Sequence, residues 1–503
     1  MNSASRSMTS QALENELSAY ERKEHPILSK ETKKIMMRNI YLISIAFCCI
    51  ILGVKIVSSF ATPLLGDLGA TSIALLNYGA GLSFIVIPTV LSWFKSPKVA
   101  ILIFAPEYFI YVLTFSYLIP TLNLIWSLIH GFCASILWTC EILFLAENST
   151  DEDRGWKSGV FWGIYMSGSI VGNIFAWYFL NYIGYDSTLK QGWLGNLSIM
   201  FIIFAAIDAL GCIPLFFMKS IARNTQEMPK TKDSGYKRFK LLIKSFINPK
   251  VMILSGVSIF WGIEFSFVGG MFNRQVIDRA NIGLVVAYNS LIQVISSFIL
   301  GRTIDKYGHY VVMVACNISM LLGLGSSIIA NDTQDWWLFF ASTFFAIADT
   351  GYQTIVPVLI TQYYDDKNST NAVFRLLQGI FCGSWYMIAP LFVKDGSTRC
   401  TSDMYILECI ICVIFLVLSQ LSYSLFYQFF AKKQQLKQHK SHTIKPIEDN
   451  HLDSDKTATI EVNDAKNLSD NLEKPTCSNE IIDSKEIVPP HFPNPSINPN
   501  SST

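Results

Sequence analysis

Twelve apolar stretches, each close to the length of a membrane-crossing helix, alternate with polar segments along the chain. A helix needs about 20 consecutive apolar residues to cross the hydrocarbon core of a bilayer. Because lipid cannot satisfy backbone polar groups, each such stretch must be helical. Charged residues make up only 15% of the chain, against about 25% in ordinary soluble proteins. The sequence therefore predicts an all-α polytopic membrane protein with about 12 transmembrane helices.

The longest internal polar segment divides the predicted spans into two groups of six. The spans are predicted at residues 39–60, 71–94, 98–119, 121–146, 157–183, 197–218, 250–272, 281–300, 310–330, 336–362, 371–393 and 404–430. The predicted domains are a cytoplasmic N-terminal segment at 1–38, an N-terminal six-helix bundle at 39–218, a basic cytoplasmic linker at 219–249, a C-terminal six-helix bundle at 250–430 and a cytoplasmic tail at 431–503. The tail lacks an apolar stripe and is rich in polar residues and proline, so it is predicted to be disordered.

Lysine and arginine are distributed unequally between the two sets of loops. With the N-terminus inside, the inner loops carry 17 of these residues and the outer loops carry 5. Nine of the 17 lie from Lys219 to Lys250, and the last inner loop is counted with Lys367 and Arg375. Because short cytoplasmic loops carry the excess of positive charge, both termini are predicted to be cytoplasmic. The pattern does not distinguish the plasma membrane from an endomembrane.

Ionisable side chains within the predicted spans are the first candidates for a functional site, because burying a charge in a bilayer is costly. Five of them are predicted to face a central cavity that binds a small solute or ion: Lys55, Glu107, Asp208, Glu264 and Asp349. A cation among several acids suggests either a buried Lys55–carboxylate pair or a proton-coupled carboxylate. The alternatives are snorkelling for Lys55 and structural hydrogen bonds for the acids. His130 is interpreted as a packing residue.

A short polar motif joins the eighth and ninth predicted spans. Its residues are Gly301, Arg302, Asp305, Lys306 and Gly308. The glycines permit a tight turn, the carboxylate can dock at a helix N-terminus, and the two cations can pair with acids across the bundle. The motif resembles the cytoplasmic-loop signature of the major facilitator superfamily, so it is predicted to act as a cytoplasmic gate. The alternative is a basic turn.

The fifth predicted span carries small residues at four-residue spacing. These are Gly159, Gly163, Gly168 and Gly172, followed by Asn173. Such spacing lets a neighbouring helix approach closely in a membrane. These positions are therefore predicted to pack helices together.

Sequence signatures of several other functions are missing. No glycine-rich phosphate loop is followed by Lys-Ser or Lys-Thr, which argues against an ATP-driven pump. No nucleophile elbow is present, and no His, Cys and carboxylate residues cluster at metal-ligand spacing. The sequence therefore predicts no enzyme, no cofactor and no metal site. A net charge of +1 gives no reason to expect a nucleic-acid partner.

Several short motifs together carry a family resemblance. They are Leu68–Gly79 and Pro88, Gly131 and Leu137–Thr139, Glu147–Thr150 with Arg154, Gly159–Gly163 with Ser169, Gly172 and Asn173, and Phe260–Gly262 with Glu264. This pattern resembles the Unc-ninety-three-like branch of the major facilitator superfamily, whose members are often described as ion-channel regulatory proteins. The resemblance implies two six-helix bundles that rock about a site near the membrane midplane.

The resemblance leaves two functions open. The first is a secondary transporter of a small solute or ion that works by alternating access. The second is a non-transporting ion-channel regulator or trafficking escort that contacts another membrane protein. Membrane lipid is an expected partner in both cases. The motifs that carry the resemblance are fold and packing signatures, so they do not specify a cargo.

Overall fold

The computed structural model describes residues 29–94, 96–150, 153–184, 192–219, 235–334, 336–393 and 399–432, with the backbone alone at Pro88, Gly155, 235–238 and Asp305. Most of the predicted N-terminal segment and nearly all of the tail lie outside the described residues. The described part contains twelve helices long and apolar enough to cross a membrane, which we number spans 1 to 12. They are Lys30–Leu65, Asp67–Ile87, Pro97–Ser116, Pro120–Glu147, Trp156–Tyr182, Asn196–Phe216, Pro249–Gln275, Arg279–Ile304, His309–Thr333, Trp337–Tyr363, Lys367–Phe392 and Ser402–Ala431.

Local sequence explains where several spans begin. Spans 3, 4 and 7 begin at Pro97, Pro120 and Pro249, where the missing backbone N–H of proline costs nothing. The Asn248 side chain accepts a hydrogen bond from the backbone of Lys250, which caps span 7. Span 1 begins nine residues before its predicted start, because helical structure continues through the polar residues 30–38.

Two spans are interrupted close to ionisable residues predicted to face the central cavity. Span 1 divides at Ile51 into helices Lys30–Ile50 and Leu52–Leu65. Span 7 ends in a π-helical turn at Phe267–Phe272. Breaks of this kind free backbone groups or redirect side chains, and they are often found at functional positions.

The two groups of six spans pack against each other. We call the end of the molecule where span 6 ends and span 7 begins the linker side, and the opposite end the far side. Span 2 packs on span 11, where a Cβ at Gly379 would lie 2.7 Å from the Asn77 carbonyl oxygen. Span 5 packs on span 8, where a Cβ at Gly283 would lie 2.5 Å from the Asn173 carbonyl oxygen. These are the most extensive contacts at the seam between the halves, where span 1 also contacts spans 7 and 8.

The buried hydrophobic core differs between the far side and the linker side of the molecule. One core cluster is confined to the linker-side part of the first half, within residues 40–51, 87–108, 136–165 and 215–218. A second cluster joins the far-side part of the first half to the whole second half. Hydrophobic packing is therefore continuous between the halves on the far side, whereas the linker-side core of the first half is a separate cluster.

A separate helix, Gly235–Ile247, lies in the predicted linker. We call it the linker helix. It contacts spans 7 and 11 of the second half and span 2 of the first half. The sequence predicted only a basic loop here, because the helix is too short and too charged to resemble a span.

Candidate functional site

Asp349 of span 10 lies at the centre of a polar cluster in the second half. It is 7% exposed. The indole Nε1 of Trp261 donates to Oδ1 at 3.0 Å, and the amides of Gln293 and Gln353 each donate to Oδ2 at 2.8 Å. These donors come from spans 7, 8 and 10, so Asp349 ties three helices together.

A cation of the first half acts on this carboxyl group, and a cation of the second half packs on the indole that donates to it. Lys55 of span 1 acts on Asp349 electrostatically, although the two side chains, both in the described part, are not in direct ion-pair contact. The guanidinium Cζ of Arg375 lies 4.7 Å from the centre of the Trp261 ring, and its Nη1 donates to Gln378 at 2.9 Å. Counting Arg375 as a loop residue was therefore wrong, because span 11 begins two helical turns earlier, at Lys367.

Glu264 of span 7 completes the group. It is 1% exposed and close enough to Asp349 for the two carboxyl groups to interact electrostatically. Among the described residues, its Oε2 has no hydrogen-bond partner. We call Lys55, Trp261, Glu264, Gln293, Asp349, Gln353 and Arg375 the Asp349 cluster.

The structure does not bring the other two predicted cavity acids into this cluster. Glu107 contacts His130, with 2.7 Å between Oε2 and Nδ1, and the His130 ring stacks on Tyr111 at 4.2 Å between centroids. Asp208 accepts a hydrogen bond at 3.0 Å from the backbone N–H of Gly53. Gly53 lies just after the break in span 1, so Asp208 ties span 6 to that break.

The gate motif lies at the linker-side junction of spans 8 and 9. Gly308, with φ +80°, separates the two helices, which fits its predicted role in a tight turn. Arg302 and Lys306 are exposed, and Lys306 lies 5.0 Å from the Tyr307 ring centre. No described atom lies within 4 Å of a Cβ built at Gly301. The two cations therefore face away from the bundle in this conformation, and the side chain of Asp305 lies outside the described residues.

The predicted packing glycines of span 5 divide into two groups. A Cβ at Gly168 would lie 2.7 Å from the Cys48 carbonyl oxygen, and one at Gly172 would lie 2.8 Å from Leu52. At Gly159 and Gly163 no described atom lies within 4 Å of such a Cβ, so close packing is not observed there. Both lie toward the linker side, where the two core clusters are separate. The backbone carbonyl oxygen of Asn173 lies at the seam, against Gly283 of span 8.

Sequence reasoning missed three further polar features: Gln353, Glu408 and the pair formed by Arg274 and Asp67. Gln353 follows Asp349 by one helical turn, and this spacing could have indicated that the two share a face. Glu408 was overlooked within span 12, where it is fully buried and accepts a hydrogen bond at 2.9 Å from Trp385 Nε1. Fully buried Arg274 ends span 7 on the far side, with Nη2 3.5 Å from Oδ1 of Asp67 in span 2. This pair joins the two halves.

The Asp349 cluster has the features of a polar binding site near the seam. Its carboxyl groups, cations, amides and indole can orient a small polar solute, as in other pockets with a few convergent polar groups. No group of three His, Cys, Asp or Glu in the described part of the chain is arranged to hold a metal ion.

Comparison with known proteins identifies relatives of this sequence. The family described as ion channel regulatory protein UNC-93 matches residues 67–417, more than half of the chain. A Caenorhabditis elegans protein, unc-93, whose name designates a potassium channel regulatory protein, is 23% identical over 62% of this chain. This chain spans about half of that relative's length, 51%. The UNC93-like protein MFSD11 of Xenopus tropicalis is 20% identical over 56% of this chain and 68% of its own.

Solved structures share the fold. The nucleoside transporter NupG, in a mutant form, superposes with a TM-score of 0.61 at 12% identity and covers 77% of this chain and 100% of its own. XylE from E. coli, in a partially occluded inward-open conformation, gives 0.55 at 13% identity over 80% and 99%. A bacterial homologue of the human lysosomal transporter Spinster, in an inward-facing state, gives 0.58 at 13% identity over 80% and 99%. The fold is therefore of the major facilitator type, which confirms the predicted architecture.

Proposed function

The chain belongs to the UNC-93 family, and we propose that it is a secondary transporter of a small solute or ion that works by alternating access. The observation that carries the proposal is the Asp349 cluster, in which Lys55 of the first half and Asp349 of the second half are close without touching. A solute held between them would interact with both halves. Its binding energy could then favour one arrangement of the halves over another.

The proposed transport cycle assigns roles to two groups of residues. Lys55, Glu264, Asp349 and Arg375 contact the solute. In the proposed cycle, the described conformation is the one open toward the linker side, because the two core clusters do not join there. Arg302 and Lys306 engage the opposite half when that side closes. We further propose that the linker side and both termini are cytoplasmic, because short cytoplasmic loops carry the excess of Lys and Arg.

A solute screen tests the proposed site. Purified protein is melted in detergent with a library of sugars, nucleosides, amino acids, organic acids and inorganic ions at several pH values. A ligand that binds only the folded state raises the melting temperature. We expect at least one class of solute to do so, and we expect Lys55→Gln and Asp349→Asn each to abolish the shift.

A matched variant shows whether such a loss is local. Asp403→Asn makes the same chemical change at an exposed position that begins span 12 on the far side. It should retain the full solute-dependent shift. A solute that stabilises wild type and both cluster variants equally would contradict the assignment of the site.

The family description supports a second candidate function, a regulator of an ion channel or an escort of another membrane protein. This function predicts co-purification with one membrane partner at fixed stoichiometry. Substitutions in the Asp349 cluster that leave the melting temperature unchanged would not disturb such a complex, whereas substitutions on a lipid-facing helix surface would. Partner capture that survives Lys55→Gln, together with no solute response, would favour this function over transport.

A further inference from the structure

The linker helix is joined directly to a span without being a span itself. It ends at Ile247, and Asn248 and Pro249 follow immediately as the cap and first residue of span 7. No loop separates the two helices. A helix joined so closely to the start of a span is held at the level of the lipid headgroups.

This helix presents three different faces. On the first face, which is turned toward the bundle, Leu242 is half-buried and Ser245 is buried. A second face is apolar and exposed, with Phe239 at 47%, Ile243 at 43% and Phe246 at 44% exposed. These three positions follow the spacing of a single helix face. These side chains lie outside the twelve spans, so contact with lipid around a membrane-crossing helix does not explain why they are apolar and exposed.

The third face is basic. Lys240 and Lys244, one turn apart, are both exposed. The sequence of the helix also contains Lys237 and Arg238, and residues 235–247 contain no Asp or Glu. An exposed apolar face beside a basic face is typical of helices that lie in the headgroup region and bind anionic lipid.

We propose that the linker helix is an anionic-lipid binding site, with Phe239, Ile243 and Phe246 inserted among the upper acyl chains and Lys240 and Lys244 paired with phospholipid headgroups. The charge of the helix favours this occupant over a second protein, whose surface would have to supply both an apolar strip and several acids. The site does not depend on transport. Because the helix contacts span 2 and span 11 across the seam, bound lipid would also restrain both halves.

Photo-crosslinking tests the proposal on the full-length protein. The protein is reconstituted in nanodiscs of phosphatidylcholine with a small, equal fraction of either photoreactive phosphatidylserine or photoreactive phosphatidylcholine. The diazirine is placed in the acyl chain near the glycerol. Mass spectrometry then measures labelling of residues 239–247.

Wild type should be labelled several-fold more by the serine lipid than by the choline lipid. The double variant Lys240→Gln/Lys244→Gln should abolish this preference, because each lysine near the membrane surface is worth roughly fivefold in the binding of anionic lipid. Ile243→Asn/Phe246→Asn should lower labelling by both lipids. The matched control is Lys33→Gln/Lys34→Gln, which removes two exposed charges from the start of span 1 on the same side and should keep the preference.

Three results would overturn the assignment. The first is equal labelling of wild type by the two lipids. The second is a preference for the serine lipid that survives Lys240→Gln/Lys244→Gln. The third is a loss of this preference in the Lys33→Gln/Lys34→Gln control that is as large as in the linker-helix variant. Absence of labelling of residues 239–247 by both lipids would show that a protein surface, not lipid, covers this helix. Melting temperatures measured beside each labelling experiment confirm that the variants are folded.

Discussion

At the scale of single residues, Asp349 has both a structural role and its proposed solute contact. Three N–H donors point at its two carboxyl oxygens. An uncharged amide at this position would offer one acceptor oxygen and one additional donor. The residue therefore cannot be replaced by its closest isostere without leaving buried donors unpaired.

We predict that Asp349→Asn lowers the stability of the protein in the absence of any solute. Each buried donor left without an acceptor costs about 1–3 kcal/mol. Thermal unfolding in detergent measures the change, and Asp403→Asn, at an exposed position, should melt as wild type does. An unchanged melting temperature for Asp349→Asn would show that the three hydrogen bonds do not hold spans 7, 8 and 10 together.

The far-side pair of Arg274 and Asp67 should respond unequally to substitution. The Asp67 side chain is 75% exposed and that of Arg274 is 1% exposed, and the charge of Arg274 also acts on buried Glu408. We predict a cost below about 1 kcal/mol for Asp67→Asn, as for other exposed ion pairs. Arg274→Met should cost more, because it removes a fully buried charged side chain that also acts on Glu408. Equal costs in a denaturation series would contradict this account.

At the scale of elements, the glycines at the seam set how closely the helices of the two halves approach. A Cβ at Gly283 would meet backbone atoms of span 5, at 2.5 Å from the Asn173 carbonyl oxygen and 2.9 Å from the Trp177 nitrogen. Backbone in a neighbouring helix cannot move aside as a flexible side chain can. Contact between spans 5 and 8 therefore requires glycine at this position.

We predict that Gly283→Ala destabilises the far-side seam, with a cost of about 1–3 kcal/mol from overpacking. Gly159→Ala is the matched control in span 5, because no described atom lies within 4 Å of its Cβ. Gly159→Ala replaces a glycine that weakens the helix, so it should increase the stability of the protein by up to about 1 kcal/mol. Melting temperatures that fall equally for both variants would show that the seam is not responsible.

The connection between spans 4 and 5 should be sensitive to acid. Burial opposes ionisation of Asp153, but hydrogen bonds from Lys157 and Thr150 outweigh it and hold the pKa of Asp153 below its usual range. Its stabilisation is therefore present above the unfolded pKa of about 3.9 and is lost as pH falls through the lower folded value. Asp153 is also partly exposed, so the effect should stay below about 1 kcal/mol.

We predict that wild type melts at a higher temperature than Asp153→Asn at pH 7. The difference should shrink as the pH falls below about 4, because protonation of the carboxyl group, first in the unfolded chain and then in the folded one, removes its contribution. Melting curves at several pH values measure it. A difference that stays constant down to pH 3 would contradict the role assigned to the ionised carboxylate.

At the scale of the whole molecule, the apolar stretches were sufficient to predict twelve spans, because crossing a bilayer requires a long run of apolar residues. The same pattern could not reveal which polar residues meet. Asp349 and Lys55 are nearly 300 positions apart, and their proximity depends on how the two halves pack. Asp208 was indistinguishable from Asp349 in sequence, yet it binds the backbone of Gly53. Glutamines such as Gln293 are uncharged, so a search for ionisable residues within the spans did not identify them.

The packing of the core describes one state of a molecule that we propose has two. The halves share a continuous core on the far side, whereas the linker-side core of the first half is separate. A transporter must also adopt the reverse arrangement, whereas a static partner protein needs only one. The distances between the halves at the two ends of the molecule therefore distinguish these accounts.

The most direct measurement is a pair of distance distributions from spin labels introduced as non-canonical amino acids, which avoids the native cysteines. One pair is placed at exposed linker-side positions, Trp156 and Tyr307, and the other at exposed far-side positions, Tyr182 and Ile277. Alternating access predicts two populations in each pair that change reciprocally with a stabilising solute or with pH. A single population in both pairs under every condition would contradict transport by this chain.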